Sequence, residues 1–256
     1  MRVLMIGDVV GRLGRRAVRT LLPGLRKEFG LDLVVANGEN AAGGFGITPE
    51  TAQELLNSGV DIITTGNHIW DQMEIVPELE RGGRVLRPLN YPPTTPGQGH
   101  AIVVGVLVVN LIGRVFVGTW DCPFRAVDGL LRSLPKPPKV VLVDFHAEAT
   151  SEKVAMGWYL DGRVSAVVGT HTHVPTADAR IFPKGTGFVT DLGMVGPMES
   201  VIGVEVQDVL TRFLDQTPQR LRVATKGRVC FNSVMFDIDD ATGRATAVSR
   251  LDRQIT

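Results

Sequence analysis

Histidine is scarce in this 256-residue chain, with five copies, and four of them follow short apolar runs. His68 ends Gly66-Asn67-His68, His146 closes the run Val140–Phe145, and His171 and His173 flank Thr172 just after Val164–Val168. Asp8 lies in Gly7-Asp8-Val9-Val10-Gly11 after Val3–Ile6, and Glu39 and Asn40 lie in Asn37-Gly38-Glu39-Asn40 after Leu33–Ala36. Carboxylates, imidazoles and amide oxygens in this mixture suit Mn, Fe or Zn. Two cations about 3.5–4 Å apart need a bridging carboxylate and ligands from several loops, and this set contains both. His171 and His173 can ligate together from a curled loop, or from one face of an extended strand.

Each piece also has an ordinary reading. Asp8 can cap a helix, Glu39-Asn40 can be loop polarity, and Asn67-His68 can be a turn asparagine beside a capping histidine. His146 can be a hydrogen-bonded core residue. His171-Thr172-His173 is the strongest single metal element, and the joint occurrence at five strand ends favours a metal site over five separate structural accidents. A dinucleotide-binding turn at Gly7, Gly11 and Gly14 competes for the first loop. Its spacing is not G-x-G-x-x-G, and Asp8 would face the pyrophosphate with a negative charge. His100, in a Pro/Gly-rich connection, reads as a surface residue or a neighbour of the ligands.

The elements that must hold these residues follow from periodicity. Val3–Ile6, Leu33–Ala36 and Val60–Thr64 read as strands, separated by helices over Arg12–Phe29 and from Thr48-Pro49 to Ser58, with a third helix over Asp71–Glu80. That βαβαβα rhythm predicts a parallel sheet, with chemistry in the loops beyond the strands' carboxyl ends. Farther on, Ala101–Val109 predicts a strand bent at Gly105. Val140–Phe145 and Val164–Val168 predict buried strands flanking a helix near Glu152–Leu160. Ala179–Phe182 and Phe188–Thr190 predict a hairpin. Val201–Leu214 predicts a helix, and Leu221–Ala224, Arg228–Ile238 and Ala245–Leu251 predict closing strands. Thr119–Phe124 reads as a packed loop, not a redox site. No linker or repeat divides residues 1–256, so one α/β domain is expected, with the ligands along a single sheet edge.

Composition narrows the function. Lys+Arg and Asp+Glu both number 27, which argues against holding nucleic acid mainly by bulk electrostatics, and no stable nucleic-acid complex is expected. With 44% hydrophobic and 21% charged residues the chain can build a core without staples. Two distant cysteines, Cys122 and Cys230, make neither a disulfide framework nor a thiolate site, and a cytoplasmic setting is expected. No apolar run is long enough to span a bilayer, and no secretory leader is expected where Met1 leads straight into a strand.

Gly7-Asp8-x-x-Gly11, Gly66-Asn67-His68, a lone strand-end His146 and Gly169-Thr170-His171-Thr172-His173 together resemble the calcineurin-type metallophosphoesterases. That superfamily opens on Asp-x-His, whereas Val10 stands at the third position here, and Asn37-Gly38-Glu39-Asn40 replaces its Gly-Asp block. These departures, with Asp144-Phe145-His146-Ala147-Glu148 and Thr190-Asp191-Leu192-Gly193-Met194, resemble the bacterial YmdB-like branch. The resemblance covers nearly the whole chain. It implies mixed β-sheets in a β-sandwich flanked by helices, and 2′,3′-cyclic-nucleotide 2′-phosphodiesterase activity. It implies one transition metal on Asp8, Glu39, Asn40 and His173. A second would sit on Glu39, Asn67, His146 and His171, with iron expected first and manganese next. Hydrolysis would proceed by in-line attack of a cation-activated hydroxide, with His68 as the general acid for the departing ribose oxygen.

Gly43, Gly44 and Thr48, in the loop entering the second helix, are candidates to hold the substrate phosphate or base, or form a flexible lid or a simple turn. Asp144 and Asp191 are candidates to orient ligating imidazoles. Two other functions stay open: a phosphoprotein or phosphomonoester phosphatase on the same centre, and a nucleotide- or phosphate-sensing module with weak turnover. The segments 86–99 and 119–127 leave room for a homo-oligomer.

Overall fold

The computed structural model describes residues 1–256. The first third alternates β1 (Arg2–Ile6), β2 (Asp8–Val9), α1 (Gly11–Phe29), β3 (Leu33–Asn37), α2 (Pro49–Asn57), β4 (Ile62–Thr64) and α3 (Val76–Glu80). The middle holds β5 (His100–Val103), β6 (Val106–Ile112), α4 (Pro123–Ser133), β7 (Val140–His146), α5 (Thr150–Leu160) and β8 (Ala166–Thr170). The last third adds β9 (Arg180–Ile181), β10 (Gly187–Val189), β11 (Met194–Pro197) and α6 (Val206–Asp215). It ends in β12 (Val229–Phe231), β13 (Ser233–Ile238), β14 (Ala245–Arg250) and β15 (Arg253–Ile255).

These strands form three sheets, ordered β14-β13-β1-β3-β4, β5-β6-β7-β8-β10-β9 and β15-β12-β11-β2. Strands β1, β3 and β4 run parallel in the first, and β6, β7, β8 and β10 in the second. Alternation along each strand then sorts the core. Val3 and Met5 of β1, Leu33 and Val35 of β3, Val106 and Val108 of β6 and Leu142 of β7 share one cluster between the two large sheets. Leu4 and Ile6 instead meet Leu13, Ala17, Val18 and Leu22 of α1. Leu107, Val109, Val141, Val143 and Phe145 meet Val127 and Leu130 of α4 and Met156 and Leu160 of α5. The molecule is therefore a mixed α/β sandwich with helices on its outer faces. The expectation of one sheet edge is corrected here, because the site-bearing strands divide between sheets and a 2.0-residue period cannot say which sheet a strand joins.

Several element boundaries also differ from expectation. The strand expected over Ala101–Val109 is a hairpin, β5 and β6, turning at Val104-Gly105. Residues 201–205 form a turn bridged between Val201 and Val204, so α6 starts only at Val206. Arg228–Ile238 breaks at Asn232 into β12 and β13, which belong to different sheets. Leu221–Ala224 makes only a single bridge, Val223 to Val204. The expected third helix is a 3₁₀ turn, Met73–Ile75, followed by the short α3. Helix α4 begins on Pro123 inside the expected loop, while Trp120 just ahead packs edge-on against Tyr91, whose ring also meets Trp70. No helix is long and apolar enough to cross a membrane.

Candidate metal centre

The same alternation that puts Leu142 between the sheets puts Asp144 and His146 there too, at the carboxyl end of β7. Asn37 ends β3, Thr64 ends β4 and Thr170 ends β8, so five polar side chains meet at one end of an otherwise apolar interlayer. All five are buried. Asp144 accepts from Thr64 Oγ1, from Thr170 Oγ1 at 2.7 Å and from Asn37 Nδ2 at 3.3 Å. Because the Thr170 hydroxyl proton is spent on Asp144, Thr170 Oγ1 accepts from His146 Nδ1–H at 3.0 Å. In the neutral ring His146 Nε2 therefore keeps its lone pair, and it points out of the network.

The other two loop histidines are oriented the same way. His173 Nδ1–H donates to the Ile202 carbonyl at 2.8 Å, and His171 Nε2–H faces Glu148 Oε2 at 3.1 Å. Each keeps its remaining nitrogen for the interior. Both residues have φ in the left-handed region, 97° at His171 and 65° at His173, so the loop is curled and not extended. It is anchored by His171 N–H on Asp8 Oδ2 at 3.2 Å and by Asp191, which accepts from Thr172 Oγ1 at 2.7 Å. Asp191 in turn is paired with buried Lys153 at 2.6 Å. Asp144 thus steadies an imidazole through Thr170, and Asp191 steadies the loop backbone instead of a ring.

Into this space come the Glu39 carboxylate, which accepts from Asn40 Nδ2 and the His68 N–H, and an Asp8 oxygen that accepts from nothing. His146 Nε2 lies 3.1 Å from Glu39 Oε1, 3.1 Å from Asn67 Oδ1 and 3.0 Å from His171 Nδ1. Ligand atoms of Glu39, His146 and His171 all fall within 4.8 Å of one another. Asp8 Oδ1, fully buried, has no hydrogen-bond partner and lies 3.8 Å from His146 and 4.0 Å from His173. Asn40 Nδ2 sits 3.2 Å from both Glu39 Oε1 and His173 Nε2. Gly66 lines the cradle, where a Cβ would overlap the His146 ring and Glu39 Oε2. This mixture of buried carboxylates, imidazoles and amide groups fits a metal cation.

Electrostatics agree. Burial would raise Glu39, but the imidazoles of His146 and His68 and the His68 N–H hold it down at about 2. Burial would lower His146, but Glu39, Asp8 and Asp144 raise it to about 9. Burial pushes Asp8 up to about 7 against the pull of His173 and His146, and burial with His146 pushes His171 down to about 3. A proton on His146 is the positive charge the carboxylates draw in.

A cavity of about 300 Å³ opens over the centre, lined by Glu39, Asn40, His68, His171 and His173 on one side and by Phe45, Val204, Leu221 and Val223 on the other. His68 Nδ1 is 2.8 Å from Asp71 Oδ2, and its ring meets Phe45 edge-on with centroids 5.1 Å apart. Gly44 lines this cavity, with φ of 98° and Val223 pressed where a Cβ would stand. Gly43 lines the adjoining groove. Thr48 lies outside the lining: its hydroxyl caps α2 on Thr51 N–H at 3.3 Å, so its role here is the helix start. His100, half-buried, begins β5 opposite Val109 and is bonded into none of these contacts. Sequence reasoning missed Asp71, Glu148 and Phe45. Asp71 is three residues past His68 and Glu148 two past His146, spacings that serve as the available signal.

A family model described as "YmdB-like protein" matches residues 4–251. The chain is 45% identical over 255 residues to the "2′,3′-cyclic-nucleotide 2′-phosphodiesterase" of Bacillus subtilis, covering 98% of this chain and 96% of that one. A solved structure of a hypothetical protein from Thermus thermophilus superposes with a TM-score of 0.92 at 48% identity, covering 99% of both chains. A Mycoplasma pneumoniae structure described as a novel phosphatase superposes with a TM-score of 0.93 at 32% identity, covering 99% of this chain and 93% of that one. Fold, site geometry and these likenesses agree, and the chain belongs to the YmdB-like family.

Proposed function

We propose that the chain is a metal-dependent phosphodiesterase that opens 2′,3′-cyclic nucleotides at the 2′ ester and leaves the 3′-phosphate. One observation carries the metal part: His146 and His173 have one ring nitrogen bonded to Thr170 and Ile202, His171 has one facing Glu148, and the other nitrogens turn toward Glu39 and the unpartnered Asp8 Oδ1. Asp8, Glu39, Asn40 and His173 would hold one cation, and Glu39, Asn67, His146 and His171 a second. Asn40 would do so with its amide turned to present Oδ1. Iron or manganese suits this mixture of imidazole, carboxylate and amide oxygen. Bound cations supply the charge that activates water and screens the phosphate oxygens.

The protein's own residues supply the rest. Asp71 holds His68 Nδ1, so Nε2 is the nitrogen left to hand a proton to the departing ribose O2′. Phe45, Val204, Leu221 and Val223 give the cavity an apolar wall for a base, and about 300 Å³ suits one nucleotide. Gly44 brings backbone to the same wall. Both cysteines are unpaired, which fits a reducing cytoplasm.

Turnover of 2′,3′-cyclic nucleotides against an aryl phosphodiester tests both the substrate and the acid. His68→Asn is expected to lose about 10²–10⁴-fold on the cyclic nucleotide, whose ribose oxygen needs a proton, and far less on the aryl ester. Full turnover by His68→Asn on the cyclic nucleotide would remove the acid role. The Mycoplasma pneumoniae relative's description as a phosphatase favours a second reading, a phosphomonoesterase on the same centre. A preference for monoesters over the cyclic diester would decide for it.

A further inference from the structure

The cavity over the metal centre does not end there. Phe45, Leu221 and Val223 are shared with a neighbouring groove of about 690 Å³ walled by Arg12, Arg212, Arg220 and Arg222. Arg12, Leu13 and Thr225 join that groove to a third of about 490 Å³ along α1, lined by Arg15, Arg16 and Arg19. Positions 12, 15, 16 and 19 fall on one side of a helix, so α1 presents a row of guanidinium groups leading away from the centre.

Some of this charge is already used. Arg222 is held by Asp208 at 2.6 and 2.9 Å, and Arg15 and Arg19 share Glu54 at 2.6 and 2.9 Å. Arg12, Arg212 and Arg220 are exposed and enter no ion pair. In a chain with equal numbers of acids and bases, three unpaired arginines on one groove are a local surplus.

A cyclic mononucleotide offers these arginines nothing, since its single phosphate is the group being cleaved. An oligoribonucleotide ending in the same 2′,3′-cyclic phosphate carries one further phosphate for each upstream residue. Its terminal base would rest on the apolar wall, and its backbone would leave past Phe45 and Val223, where the groove begins. Phosphates on arginines and bases on an aromatic ring are how single strands are held without sequence readout.

Resting on the phosphodiesterase reading above, we propose that the substrate class is the 2′,3′-cyclic phosphate end of oligoribonucleotides, with the upstream backbone lying in the arginine groove of Arg12, Arg212 and Arg220. Such ends are the products of ribonucleases that cut by attack of the 2′-hydroxyl, so that class of reaction would supply the substrate. Binding is local and salt-sensitive, in keeping with a chain of zero net charge.

The test compares a ribohexamer ending in 2′,3′-cyclic phosphate with a cyclic mononucleotide, in wild type and in a variant carrying R12E, R212E and R220E. At low salt the hexamer is expected to exceed the mononucleotide at least tenfold in kcat/KM. The variant should lose that gain and keep mononucleotide turnover, which also reports an intact fold. Hexamer binding, read by fluorescence anisotropy, should fall with a log–log salt slope steeper by about 2 in wild type than in the variant, at about 0.7 per phosphate contact. A mononucleotide turned over as well as the hexamer, or a hexamer preference that survives the three substitutions, would overturn the proposal. Arginine-dependent hexamer binding without hydrolysis of either compound would instead overturn the phosphodiesterase reading and leave the groove standing.

Discussion

Gly66 is where backbone and chemistry come closest. Its missing Cβ is the space that lets the His146 ring and the Glu39 carboxylate face each other. Gly66→Ala must displace one of them, so metal affinity is expected to fall at least 100-fold while the fold persists, measured by metal titration beside circular dichroism. Loss of no more than twofold would mean the cradle is looser than described. That Asp8, Glu39, Asn40, Asn67, His68, His146, His171 and His173 come together was legible at this scale because all lie just past apolar strand runs. Thr48 was misread for a physical reason: a threonine before proline serves a helix cap as readily as a substrate, and the cap takes its hydroxyl. Asp71, Glu148 and the Thr170 relay were not legible, because each acts through a partner far from it in sequence or by geometry alone.

At the scale of elements, helix α5 reaches the site through one side chain. Lys153 is buried against Asp191, which also holds Thr172 and the Gly193 N–H. Lys153→Met strands a buried carboxylate, and a loss of about 3–5 kcal/mol is expected in chemical denaturation. Pairing it with Asp191→Leu should return most of that stability, since an apolar pair can replace a buried ion pair. The double variant should still bind metal weakly, because the loop between His171 and His173 has lost its anchor. Recovery of metal affinity along with stability would show that the pair serves packing only. Strand-end loops and the helices α1 and α2 were readable from periodicity and capping, whereas α4 was hidden behind the Trp-Asp-Cys run that precedes Pro123. The two-sheet arrangement was hidden as well, since alternation tells which residues share a face and not which sheets meet.

For the whole molecule, the centre makes stability depend on pH with opposite signs with and without metal. In metal-stripped protein, His146 is raised from 6.5 to about 9, so its contribution is full below 6.5 and is lost as pH rises through 9. Asp8, raised from 3.8 to about 7, likewise costs stability as pH climbs through that interval. Glu39, lowered from 4.5 to about 2, works the other way, with its contribution present above 4.5 and lost as pH falls through 2. His171, lowered from 6.5 to about 3, adds stability as pH rises through that interval and offsets Asp8 there. Melting temperature of the stripped chain should therefore peak near pH 4.5–6.5 and decline toward pH 9, while metal affinity strengthens over the same rise as ligands lose their protons. A flat melting profile between pH 6 and 9 would contradict these assignments.

Strands of all three sheets bring Asp8, Glu39, His146, His171 and His173 to one point, with Glu39 at its middle. The most direct measurement is metal content and 2′,3′-cyclic nucleotide turnover of the same preparation, in wild type and in Glu39→Gln. Two equivalents of transition metal per chain are expected in the wild type, with both metal and turnover lost in the variant. Cyclic-nucleotide turnover that persists in Glu39→Gln, or in protein stripped of metal, would contradict the account.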